Sequence, residues 1–175
     1  NGKSMINMYK PESPFFLEYY FFLFMRQYGP VILTGEIEIP ADAPADVMQL
    51  PRSSFDKCVN YVVSELDNAA KVLPVIPSTN GLANDLQYGR ATVGMALAVK
   101  ARLLLYAASP LYNGNTDLVN FKNLDGTQMI NQTFDLQKWK KAADAAKPVI
   151  DMGLYNLYKE PSNDPIKSYN GIFFV

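Results

Sequence analysis

Tyr112, Asn113 and Asn115, with Asp117 just beyond, place one aromatic ring, two planar amides and a carboxylate beside the turn-forming Gly114. A ring face offers C–H stacking, and amides and carboxylates hydrogen-bond hydroxyls, so this is minimal chemistry for holding a sugar. The same residues suit a helix-terminating turn closed by local hydrogen bonds, and the sequence leaves both uses open. The remaining rings stand at core spacing: Tyr19 to Phe24 and Trp139 are expected to be packing residues. Arg26, Arg90, Lys100 and Arg102 are expected to anchor carboxylates of neighbouring elements.

Composition removes several chemistries. The 175 residues contain no histidine and one cysteine, so the commonest general base and metal ligand are missing and no internal disulfide can form. Cys58 falls within the amphipathic series Phe55, Val59, Val62, Val63, Leu66, where a small buried group is expected. The acidic residues are scattered over caps and polar faces, and no pair suggests glycosidase machinery. No catalytic residue, metal or cofactor is implied. Lys+Arg 16 against Asp+Glu 17 gives a net charge of -1, with no positive field for nucleic acid. At 49% hydrophobic and 13% aromatic, the chain has ample material for one packed domain.

Four helices are expected to carry these side chains. The aromatic run over 14–28 has Ser13 and Pro14 as a start signal and Gly29 as a stop. It is apolar all round, so it should be covered on most sides, yet Glu18 and Arg26 make it too short and too charged to span a bilayer. A second helix over 53–73 opens on a Ser53 and Asp56 capping box and closes at Pro74. The third, over 91–109, is rich in alanine and should pack closely against the aromatic helix, which would then be central. The fourth, over 136–152, follows Asp135 as cap, presents Trp139, Ala142, Ala143, Ala146, Val149 and Ile150 on one face, and meets Pro148 near its last turn. If Trp139 is fully buried, its removal should cost roughly 3–5 kcal/mol.

The connectors carry weaker signals. Val31 to Leu33 and Ile37 to Ile39 are short extended candidates, and residues 78–81 read as a turn. The long stretch 111–134 suggests a short hairpin around Asp125-Gly126. The chain ends on the apolar run Ile172 to Val175 without any change in composition, as a truncated piece would.

Four ordered segments resemble the SusD/RagB family. They are Tyr19-Tyr20-Phe21-Phe22-Leu23-Phe24-Met25-Arg26-Gln27-Tyr28-Gly29-Pro30, then Pro51-Arg52-Ser53-Ser54-Phe55-Asp56 through Leu73-Pro74, then Gly89-Arg90-Ala91-Thr92 leading to Lys100-Ala101-Arg102-Leu103-Leu104-Leu105-Tyr106-Ala107-Ala108-Ser109-Pro110-Leu111-Tyr112-Asn113, and finally Trp139-Lys140-Lys141-Ala142-Ala143 with Gly153-Leu154-Tyr155. The resemblance implies an all-α, tetratricopeptide-like helical array with long irregular loops, of which 1–175 would be the helical core portion, cut at both ends. No period of 34 residues is visible, so the tetratricopeptide likeness rests on the family. The resemblance further implies a lipid-anchored protein of the Bacteroidetes outer membrane, on the cell-surface side, whose anchor lies upstream of these residues. Such a protein binds oligosaccharide or polysaccharide and delivers it to a SusC-like TonB-dependent transporter, without catalysis. Family members assemble most of the ligand site from loops before the aromatic helix and from the C-terminal region. A helical-repeat scaffold that binds protein, or part of a glycan-degrading enzyme, are the alternative functions.

Overall fold

The computed structural model describes residues 9–35, 39–79, 82–83 and 87–173. In chain order these form α1 (Glu12–Tyr28), α2 (Ala45–Met48), α3 (Phe55–Ala70), the two-residue strands β1 (Ser78–Thr79) and β2 (Leu82–Ala83), α4 (Val93–Ala108), a 3-10 turn (Thr116–Leu118), α5 (Gln137–Asp151) and α6 (Pro165–Gly171). The fold is all-α, and the four long helices lie where capping and periodicity place them. The strands pair antiparallel with Ser78 opposite Ala83 and Thr79 opposite Leu82. Of the turn expected at 78–81, Ser78 and Thr79 form β1, and residues 80 and 81 lie outside the described residues. Of the extended candidates, Val31 to Leu33 form no strand and 36–38 lie outside the described residues, as do Phe174 and Val175. The hairpin expected near Asp125 exists as a single antiparallel bridge between Lys122 and Gln128.

Local chemistry shifts several ends by one or two residues. Helix α1 starts at Glu12 after Pro11, so Ser13 is not its cap, and the Ser13 hydroxyl instead donates to the Lys10 carbonyl. Pro14 then falls in the first turn, where its missing N–H has no intrahelical partner to lose. Gly29, at φ 74°, closes the helix by donating to the Met25 carbonyl at 2.9 Å. Ser54, not Ser53, caps α3 by accepting from the Lys57 N–H. The Ser53 N–H is held by the Val31 carbonyl at 2.9 Å, which keeps that residue outside the helix. Asp135 accepts from the Gln137 N–H at 2.8 Å, as a cap should, and Pro148 is carried inside α5, which runs on to Asp151.

The long helices pack in chain order, α1 on α3, α3 on α4 and α4 on α5. Successive helical turns supply the core: Phe15, Phe22 and Met25 from α1; Phe55, Val59, Val62 and Leu66 from α3; Leu103 and Ala107 from α4, with Ile130 from the long connector. Cys58 is fully buried, its thiol directed at the carbonyls of Val31 and Ser53.

Two packing expectations fail. Helix α1 lies against α3 and only touches α4, where Phe22 is set edge-on to Tyr106 at 5.8 Å, so it is not central. One stripe of α1 (Phe15, Glu18, Phe22, Met25) meets α3, while Tyr20 and Phe24 are 58% and 55% exposed. Tyr19 is exposed too, and Phe21 is half-buried against Tyr61. Trp139 is likewise not a core residue, being 41% exposed. The buried stripe of α5 is Ala142 and Ala145, with Lys138 and Val149 half-buried beside them. Alanines facing the small residues of α4 let the two helices approach closely, and a close helix pair leaves an indole at its margin.

Glu18 is a special case. It is 1% exposed, and its Oε2 has no hydrogen-bond partner. Burial, reinforced by the negative charge of Glu65, lifts its carboxyl to about pKa 7.

Candidate functional site

The corner after α4 is built by Ser109, whose carbonyl accepts from the N–H groups of both Tyr112 and Asn113 at 3.0 Å. This turns the chain back across α3. Tyr112 lies buried on Phe55 with its ring parallel at 3.7 Å, and burial pushes its phenol pKa up. Asn113 is also buried and pairs with the backbone of Asp135 at two points, donating to its carbonyl at 2.9 Å and accepting from its N–H at 2.8 Å. Asn115 accepts from the Asp117 N–H at 3.0 Å and donates to the Leu111 carbonyl at 3.2 Å. The three sequence candidates thus share one corner. There the amides of Asn113 and Asn115 hold the loop, and only Tyr112 reaches an open cavity.

That cavity encloses about 450 Å³ between α1, α4 and α5, lined by Arg26, Leu105, Tyr106, Ser109, Leu111, Tyr112 and Trp139. It offers an exposed indole, two tyrosines and a guanidinium over an apolar floor, a combination able to stack a flat apolar face and hydrogen-bond its polar edge. Trp139 and Arg26 were both assigned structural roles by the sequence. Their meeting across 113 positions of the chain leaves no local signal.

On the next face of α5 lies a polar cleft. Lys138 reaches Asp56 at 2.6 Å and closes one side, while Asn60, Asn131, Asp135 and Lys141 line the rest above Val59, Leu104 and Ala107. A second hollow shares Asp56 and Asn131 and adds Ser54, Gln128, Gln132 and Thr133. The other cations behave as expected in part. Arg90 binds Glu12 at 2.7 Å and lies 4.5 Å from the ring centre of Tyr9, and Lys100 binds Asp67 at 2.7 Å. Among the described residues, no group of three or more Cys, Asp or Glu is placed to hold a metal, and no helix is long and apolar enough to cross a membrane.

No family model and no curated protein matches the chain. Solved structures do. BT4246 aligns over 96% of the chain with a TM-score of 0.77 and 35% identity. A SusD-like protein (BF3747) from Bacteroides fragilis NCTC 9343 aligns over 88% with a TM-score of 0.58 and 20% identity. A SusD homolog from Bacteroides thetaiotaomicron VPI-5482 aligns over 90% with a TM-score of 0.56 and 19% identity. The chain spans 28%, 22% and 25% of those three structures, about a quarter of each. With its four-helix array answered by these structures over most of its length, the chain has an all-α architecture that is part of the SusD-like fold.

Proposed function

We propose that the chain belongs to a cell-surface glycan-binding protein that captures oligosaccharide and passes it to a SusC-like TonB-dependent transporter in the outer membrane, where a lipid anchor holds it. The observation that carries this reading is the fold shared with a SusD-like protein from Bacteroides fragilis over nearly the whole chain. The role is binding, not catalysis. Within these residues, the surface we assign to sugar is the cavity of Arg26, Tyr106, Tyr112 and Trp139. Tyr112 forms its floor, and Asn113 and Asn115 fix the corner from which Tyr112 projects. Stacking on Trp139 and hydrogen bonds from Arg26 would hold one sugar face and its hydroxyls.

Isothermal titration of the protein carrying these residues against a panel of polysaccharides tests the reading, together with co-purification from outer membranes to identify a transporter partner. The expected result is saturable binding that weakens on Trp139→Ala while thermal stability is kept. Absence of binding to every polysaccharide, with a transporter also missing from the co-purified material, would overturn it. The exposed rings on α1 favour a second reading, a helical scaffold that binds protein, and in that case a protein other than a transporter would co-purify.

A further inference from the structure

We infer that the polar cleft between α3 and α5 is a second binding site, separate from the aromatic cavity, and that it takes an uncharged, hydroxyl-rich ligand. The inference uses the glycan reading only to choose its first probes. The ligand class comes from the cleft itself. Two carboxylates, Asp56 and Asp135, face two ammonium groups, Lys138 and Lys141, so the lining is charge-balanced and selects neither anions nor cations.

The hydrogen-bonding capacity is unbalanced in a useful way. Lys138 closes on Asp56 Oδ1 at 2.6 Å and comes within 3.5 Å of the Tyr112 carbonyl, which leaves an ammonium proton for a ligand. Asp56 Oδ2 receives only a long 3.4 Å contact from Asn131. In the hollow that shares Asp56, the Gln132 side chain donates to the Ile130 carbonyl at 2.8 Å, while its Oε1 is buried and has no donor. A buried acceptor without a donor is costly, and turning the Gln132 amide into the hollow to accept from a ligand hydroxyl would remove that cost. At the rim, Asn60 and Lys141 have no protein hydrogen-bond partner among the described residues. Acceptors and donors thus stand together above an apolar floor of Val59, Leu104 and Ala107 in a cleft of about 140 Å³, and the adjoining hollow of about 430 Å³, which shares Asp56 and Asn131, brings the combined space into the range of small-molecule sites. A hydroxyl both donates and accepts, so a polyol satisfies both kinds of group at once.

The test is an NMR titration of the protein with maltohexaose, cellohexaose, xylohexaose and mannohexaose, with myo-inositol as an uncharged polyol that is not a glycan, and with oligogalacturonide and chitosan oligomers as charged counterparts. The expected result is a shift of the side-chain amide resonances of Asn60, Asn131 and Gln132 by an uncharged probe. The double variant Asn60→Ala with Lys141→Ala should keep the wild-type melting temperature and bind that probe about tenfold more weakly, as loss of two hydrogen bonds implies. Response to myo-inositol alone supports the cleft and removes the glycan reading. Oligosaccharide binding that perturbs only Trp139 and its neighbours, with the double variant unaffected, supports the glycan reading and overturns the cleft. Tighter binding of either charged oligomer, or no response to any probe, also overturns it.

Discussion

The ring of Tyr112 lies on that of Phe55 with centroids 3.7 Å apart and planes only 5° from parallel. One ring belongs to the corner after α4 and the other opens α3, so the stack fastens the long connector to the core. Removing a buried ring of this kind costs about 3–5 kcal/mol. Urea unfolding of Tyr112→Ala should show that loss. Trp139→Ala, at the margin of α5, should stay within about 1 kcal/mol of wild type. A Tyr112→Ala protein as stable as wild type but unable to bind glycan would make this ring a ligand group instead of a structural one.

The Glu18 carboxyl gives the fold a pH dependence whose sign is fixed by the direction of its shift. Folding raises its pKa from 4.5 to about 7, through burial first and the Glu65 charge second. The folded state therefore holds the proton more tightly than the unfolded one. Stability from this group is full below pH 4.5, declines as pH rises, and is gone above about 7, a span worth about 3 kcal/mol. Chemical denaturation at pH 5 and pH 8 should show the decline, and Glu18→Gln should flatten it. An unchanged slope in that variant would assign the dependence to other groups.

Helix positions were legible because caps and periodicity are local. Ser54, Thr92 and Asp135 each accept from a backbone N–H two or three residues on, and Gly29 ends its helix in a backbone conformation that favours glycine. Which face each helix buries was harder to read. Rings surround α1, so its sequence does not say that the Phe15, Phe22 and Met25 side is the covered one. In α5 two overlapping stripes compete, and the buried one contains Lys138, a residue that looks solvent-facing until Asp56 is found opposite it. The corner at Tyr112 to Asn115 was visible as a ring and amides at a glycine turn. The Asn113 partner Asp135 lies 22 residues away, and no spacing rule connects them.

Gly114 should be the least replaceable glycine of the connector. Its φ is +77°, and a Cβ there would stand 2.7 Å from the Phe134 backbone nitrogen. Gly126 has a similar φ of +84° but open space around it. Gly126→Ala should then cost only the backbone penalty of about 1–2 kcal/mol, whereas Gly114→Ala must also displace the Phe134 backbone and should cost more. Thermal melts of the two variants compare them directly, and equal losses would show that the Phe134 segment yields freely.

Phe16, Tyr20, Phe24 and Tyr28 recur every fourth residue along α1, and all four are exposed. Residues four apart lie on one line of a helix, so these rings form a single stripe about 18 Å long. It continues into a hollow of about 570 Å³ lined by Phe24, Tyr28, Pro30 and Ile32, with Arg52 at its edge. Contiguous apolar surface of this extent favours association, because covering it releases water from the rings. Helix α5 shows isolated apolar side chains such as Trp139 and Ile150 on its outer face, but no line of rings. Light scattering of the 175-residue chain over a range of concentrations should therefore report a mass that rises above the monomer. Tyr20→Lys with Phe24→Lys should restore the monomer without lowering the melting temperature, since neither ring is in the core, and Trp139→Ala should leave the association unchanged. A chain that stays monomeric throughout, or a double lysine variant that still associates, would show that the stripe is inert in water.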